Sequence, residues 1–145
     1  MPNQESNIFF WFFESRSDPS SAPLTVWLQG GPGMASVNQA VSGHNGPCIV
    51  RNDSNSTVLN PWSWNGVSNM LYIDQPVQTG FSYDTATEGV MDMLTGAIDV
   101  SDTAPDANAT TFPGRFASQD PRKTANTTEV AAEAIAGFLQ LWFGE

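Results

Sequence analysis

The sequence predicts the α/β fold class, as the N-terminal strands of a mixed sheet plus a C-terminal amphipathic helix. Three observations carry this reading. Apolar runs at Asn7–Glu14, Leu24–Leu28 and Met70–Asp74 are short and are bounded by polar or glycine-proline stretches, which marks strands rather than helices. A glycine-proline loop, Gly30–Gly33, breaks the chain directly after the second run. Helical spacing becomes clear only near the end, where Ala131, Ile135, Phe138, Leu139 and Trp142 share one face.

The elements follow in order. Asn7–Glu14 is apolar on both faces, which predicts a doubly buried strand. Ser15–Pro23, rich in Ser, Asp and Pro, is a turn into the strand Leu24–Leu28. So short a polar link predicts an antiparallel hairpin at a sheet edge. Met34–Asn45 is small and polar and reads as loop or irregular helix. Gly46–Val50 is a short extended piece, Arg51–Thr57 is polar, and Asn60–Trp64 is an aromatic turn. Met70–Asp74 reads as a buried strand ending in a carboxylate, followed by the loop Gln75–Tyr83. Asp84–Lys123 mixes periods with several Pro, Gly and Asp, and is expected to be mostly irregular. Thr127 or Thr128 caps the final helix and Glu129 lies in its first turn, where a negative charge meets the helix dipole favourably. The sequence shows no internal repeat and no heptads.

Composition bounds the function. The chain has 145 residues, 40% of them hydrophobic, with five Trp and nine Phe. That is enough for one modest domain with a core and is not a disordered composition. Fifteen acidic against five basic residues give a net charge of -10, which disfavours nucleic acid and anionic membrane surfaces as partners. No signal peptide is visible in the chain. The run Ile8–Phe13 is far too short to span a bilayer. The lone Cys48 is either a buried free thiol or the partner of a cysteine outside this sequence. Sequons at Asn52, Asn55, Asn108 and Asn126 predict glycosylation and lean towards a secreted or vacuolar parent. One His and one Cys without clustered carboxylates support no metal site, and no cofactor loop is present. No oligomeric state can be read from the sequence.

Serine-hydrolase chemistry needs a nucleophile, an imidazole base, an orienting carboxylate and oxyanion donors. His44 is the only histidine and lies early in the chain, whereas the α/β-hydrolase order puts histidine last. The closest approach to a Gly-x-Ser-x-Gly elbow is Gly80-Phe-Ser-Tyr-Asp84, which lacks its last glycine. Ser82 is therefore read as an ordinary loop serine. The loop Gly30–Gly33 has two readings. Its backbone N–H groups, that of Gly31 foremost, suit a developing oxyanion; equally, it is a tight turn that needs positive φ.

The chain resembles the serine carboxypeptidase family. The matching segments are Phe9-Phe-Trp-Phe-Phe-Glu-Ser-Arg16, Val26-Trp-Leu-Gln-Gly-Gly-Pro-Gly33, Asn45-Gly-Pro47, Asn60-Pro-Trp-Ser-Trp-Asn65, Tyr72-Ile-Asp-Gln-Pro-Val77, Gly80-Phe-Ser-Tyr83 and Phe138-Leu-Gln-Leu-Trp-Phe143. They occur in the family's order and cover nearly the whole chain. The resemblance implies a partial α/β-hydrolase fold, with residues 1–145 an incomplete domain. The family's nucleophile elbow is expected shortly after Glu145, and all three triad residues are expected outside the chain, as is a leader before it. Gly31 matches the family's oxyanion glycine. Gln29 stands where the family has Asn, which with Gly30, Gly31 and the position near His44 serves substrate binding at the terminal carboxylate. His44 falls near a family Glu, and Met34 replaces a family Cys. The implied activity is release of C-terminal amino acids from a peptide substrate, without cofactor or metal, by the complete parent. The 145 residues alone are expected to be inactive. Two rival readings stand beside this: acyl transfer on the same scaffold, and a non-catalytic binding paralogue.

Overall fold

The computed structural model describes residues 6–31, 33–103 and 106–144. They form two compact units. One unit comprises Ile8–Gln75 with Thr79–Phe81, and the other comprises residues 6–7, Pro76–Gln78 and 82–144.

The first unit is built on a three-stranded mixed sheet of β1 (Phe10–Phe13), β2 (Leu24–Trp27) and β5 (Asn69–Ile73), in the order β1-β5-β2. β5 is antiparallel to β1, with Phe10 opposite Ile73, and parallel to β2, with Leu24 opposite Asn69. Met70, Leu71, Tyr72 and Ile73 are wholly buried. That is what an uninterrupted apolar run at the centre of a sheet should do. Burying each such aliphatic side chain is worth about 1.5–3 kcal/mol.

The hairpin expected between the first two strands does not form. β5 lies between them, and Asn69 shows why. Its Oδ1 accepts from Ser15 N at 2.8 Å, and its Nδ2 donates to Pro19 O and Ala22 O at 2.9 and 3.2 Å. The polar link is thus wound about the entry to β5 instead of closing on itself. β1 is also shorter than expected and not doubly buried: Phe10, Trp11 and Phe12 keep 38–39% of their surface exposed. An edge strand has one neighbour only, and nothing in the unit covers both its faces.

Between β2 and β5 run α1 (Val37–Val41) and the hairpin of β3 (Cys48–Val50) with β4 (Thr57–Leu59). α1 places Ala40 against Met70 and Tyr72, with Phe13 and Trp27 packed on this cluster. Tyr72 stacks edge-on against Phe13 and donates its hydroxyl to Asn45 O at 3.2 Å; burial pushes its phenol up to about 12. Cys48 is a half-buried free thiol. The aromatic turn at Asn60–Trp64 leads into a 3-10 turn, Trp64–Gly66.

In the second unit the stretch expected to be irregular is an antiparallel sheet. β6 (Ala86–Asp92) lies between β7 (Ile98–Asp99) and β8 (Thr111–Ala117). Pro113 and Gly114 of β8 mislead a propensity reading, yet β8 is an edge strand, where a missing N–H is tolerated. Gly114 faces Gly89 across the ladder, and a Cβ on Gly89 would meet Asp99 O at 2.6 Å. Gly89 is thus a packing requirement of the sheet and not a breaker, whereas a Cβ on Gly114 would meet nothing closer than the Phe116 ring, at 3.3 Å. The last element, α2 (Thr128–Phe143), starts as expected: Thr127 Oγ1 accepts from Val130 N at 3.2 Å, and Glu129 sits in the first turn. Gly144 closes it in the left-handed region. Ala131, Ile135, Phe138, Leu139 and Trp142 are its half-buried face.

Candidate functional site

β2 and β5 are parallel neighbours, so the loops that leave their C-terminal ends emerge on the same sheet edge. Crevices at such ends are where ligands bind in parallel sheets. The loop after β2 carries Gln29, Gly30, Gly31 and Gly33; the loop after β5 carries Asp74, Gly80 and Phe81.

Gln29 is half-buried. The indole N–H of Trp27 donates to its side-chain oxygen at 3.0 Å. An indole can only donate, so the atom it meets must be Oε1. The Nε2 group is thereby turned away, with no acceptor of its own among the described residues. Gln29 N donates to Ser36 Oγ at 2.9 Å, and Ser36 Oγ donates in turn to Ile73 O at 2.5 Å.

Gly31 takes φ +140, a region that disfavours any Cβ-bearing residue. Its N–H, exposed, meets no acceptor among the described residues. Gly31 and the Gln29 amide thus offer two unused donors two residues apart on one loop. Both belong to the set singled out in the sequence, as does Gly30, which is exposed beside them.

Asp74, the first residue after β5, is wholly buried. Its Oδ1 accepts from Val37 N at 3.1 Å and its Oδ2 from Phe81 N at 3.1 Å. Gly80 has φ +58, and a Cβ there would collide with Asp74 Oδ2. The loop after β5 therefore closes tightly on the carboxyl group.

His44 is exposed, and its imidazole has no hydrogen bond among the described residues. Its carbonyl lies 3.4 Å from Asn60 Nδ2. Asn60, fully buried, also donates to Gly46 O at 2.9 Å, and the Arg16 guanidinium donates to Asn60 O and Pro47 O. The 43–47 segment is thus pinned by its backbone while the imidazole is left outside. No hydrogen bond joins His44 to Gln29. Ser82 is 1% exposed, and no serine hydroxyl is bonded to the imidazole among the described residues.

Elsewhere, Asp84 is 2% exposed and accepts from Ser118 N at 3.0 Å and Ser118 Oγ at 2.5 Å, with Lys123 Nζ at 3.7 Å. Burial raises its pKa, but the bonds from the Ser118 hydroxyl and nearby backbone outweigh this and hold it at about 2. Asn52, Asn55, Asn108 and Asn126 are all exposed. The Thr110 hydroxyl donates to Asn108 Oδ1 at 2.9 Å. Among the described residues no group of three metal-ligating side chains occurs, and no helix is long and apolar enough to cross a membrane.

Trp27, Ser36 and Asp74 were not singled out by sequence reasoning as site residues. Trp27 reads as part of a strand, Ser36 as loop and Asp74 as a strand end. The one available signal was a carboxylate closing an otherwise apolar strand.

Comparison with known proteins shows the family. A family model described as serine carboxypeptidase matches residues 1–144. Carboxypeptidase S1 homolog A of Arthroderma otae is 50% identical over 146 residues, 99% of this chain and 22% of its own. The Carboxypeptidase Y homolog of Arthroderma benhamiae is 46% identical, over 94% of this chain and 22% of its own. Among solved structures, Kex1Δp, a prohormone-processing carboxypeptidase from Saccharomyces cerevisiae, matches with a TM-score of 0.64 and 28% identity, over 96% of this chain and 23% of its own. The chain spans about a fifth of the length of the curated relatives it matches.

Proposed function

The chain belongs to the serine carboxypeptidase family, and on that premise we propose that residues 29–31 form the oxyanion and carboxylate-binding part of a serine-type carboxypeptidase. The observation that carries this is the Trp27–Gln29 hydrogen bond. It presents an amide donor to a substrate's terminal carboxylate while the Gly31 N–H faces the carbonyl being attacked. The reaction is attack by a serine on the last peptide bond and collapse of the tetrahedral intermediate to an acyl-enzyme, with release of the C-terminal amino acid. Water then hydrolyses that ester, which frees the shortened peptide and restores the serine. One well-placed oxyanion donor contributes about 3 kcal/mol to such a transition state. The described residues supply binding and charge stabilisation; the nucleophile and its base are furnished outside them. Gln reaches one methylene further than Asn, so the carboxylate sits further from the backbone than Asn would hold it. The exposed His44 imidazole is read as a further contact for the substrate.

The mixed sheet is the N-terminal part of an α/β-hydrolase fold in this reading. The protein works in a secreted or vacuolar setting with glycans at Asn52, Asn55, Asn108 and Asn126, all of which are accessible. Its partner is a peptide substrate; neither nucleic acid nor membrane is required, and no cofactor.

The test expresses the complete reading frame that contains these residues and incubates it with a peptide bearing a free C-terminus and with its amidated twin. Stepwise loss of C-terminal residues from the free peptide, blocked by a fluorophosphonate, is the expected result. Cleavage of internal bonds, or insensitivity to the fluorophosphonate, would overturn the proposal.

A further inference from the structure

We infer that Asp74 and Ser36 are positioning residues that hold the oxyanion loop at its working geometry, an inference that rests on the reading of the Gly31 N–H as the oxyanion donor. The loop is pinned at both ends to the terminus of one strand. At its start, Gln29 N reaches Ile73 O through the Ser36 hydroxyl, at 2.9 and 2.5 Å. At its end, Val37 N, the first residue of α1, donates to Asp74 Oδ1 at 3.1 Å. Ile73 and Asp74 are consecutive, so both tethers share one rigid base, and every residue of that base is wholly buried.

The second carboxyl oxygen extends the same logic. Asp74 Oδ2 accepts from Phe81 N at 3.1 Å, and only a glycine at position 80 leaves room for that approach. The two loops on this sheet edge therefore close on the two oxygens of one carboxyl group. A group that accepts on both oxygens is what this arrangement demands. An amide in its place sets a donor against a donor at one of the two contacts, in a site water cannot reach. Ser36 is equally specific, because its hydroxyl must accept from one backbone group and donate to another.

Two measurements separate this inference from the carboxypeptidase reading. The first uses the protein expressed from the complete reading frame, labelled with nitrogen-15, in wild-type, Asp74→Asn and Ser36→Ala forms. Asp74→Asn is expected to speed amide exchange at Val37 or Phe81 at least tenfold and to shift the Gly31 amide resonance. Ser36→Ala is expected to speed exchange at Gln29 likewise and to shift the Gly31 amide resonance. Unchanged Gly31 resonances in a folded variant overturn the inference. The second uses the enzyme from the complete reading frame. Ser36→Ala, and Asp74→Asn where it folds, should lower kcat at least tenfold with KM within threefold, and weaken a boronic-acid transition-state analogue in parallel. A rise in KM alone, with the analogue's affinity intact, also overturns it. A wild-type enzyme without peptidase activity sinks the functional reading, while the exchange data still decide the positioning role.

Discussion

Trp27 Nε1 lies 3.0 Å from Gln29 Oε1, so a core tryptophan on β2 sets which end of the Gln29 amide faces outward. Trp27 is itself braced edge-on by Trp64, with ring centroids 5.5 Å apart. In the complete enzyme, Gln29→Ala should reduce kcat/KM for free-carboxylate peptides more than for amidated ones. Trp27→Phe, which keeps the ring and removes the donor, should produce a smaller loss of the same kind, about 3–10-fold. Equal losses on the two substrates would rule out the carboxylate role.

Gly31→Ala tests the oxyanion assignment. At φ +140 an added Cβ is strained, and the loop relaxes by turning the 31 N–H. The expected outcome is a fall in kcat of about 100-fold with a small change in KM, as for loss of one oxyanion donor. Steady-state kinetics on an ester and a peptide would show it. An active variant with unchanged kcat would move the oxyanion site elsewhere.

Asp84 predicts a pH dependence of stability. Its folded pKa, about 2, lies below the ordinary 3.8. Above about pH 4 both folded and unfolded forms are ionised and the contribution is fully present. As pH falls from about 4 to about 2 the unfolded chain takes up the proton first, and about 2 kcal/mol is lost. Denaturant melts of wild type and Asp84→Asn at pH 6 and pH 3 should differ by less at pH 3. A constant difference would contradict the assignment.

Thr127→Ala should destabilise α2 by about 1 kcal/mol, since it leaves Val130 N without its side-chain acceptor. Thr128→Ala, one residue inside the helix, should cost less. Thermal melts followed by far-UV circular dichroism compare the two, and the reverse ranking would place the cap at Thr128.

Local signals were legible where the structure is local. The cap at Thr127, the helical face through Trp142, the extent of β2 and the burial of the Met70–Ile73 run follow from residue type and spacing. The glycine loop was legible as a turn with positive φ at Gly31 and Gly33, because such backbone demands are properties of a few consecutive residues. The antiparallel sheet of Ala86–Ala117 was not. Its Pro113 and two facing glycines are breakers to a propensity reading, and only pairing across the ladder gives them a place.

The sequence by itself determined the family, the α/β class and the glycine loop that follows β2. Tertiary structure alone decided that β5 separates β1 from β2, that Trp27 orients Gln29, and that Asp74 and Ser36 tie the loop to the end of β5. The reason is physical. The strand pairings and the Ser36–Ile73 and Val37–Asp74 bonds join residues far apart in the chain, and their partners are chosen by packing about a buried strand. Even the Trp27 indole packs edge-on against Trp64, whose ring arrives from a distant turn.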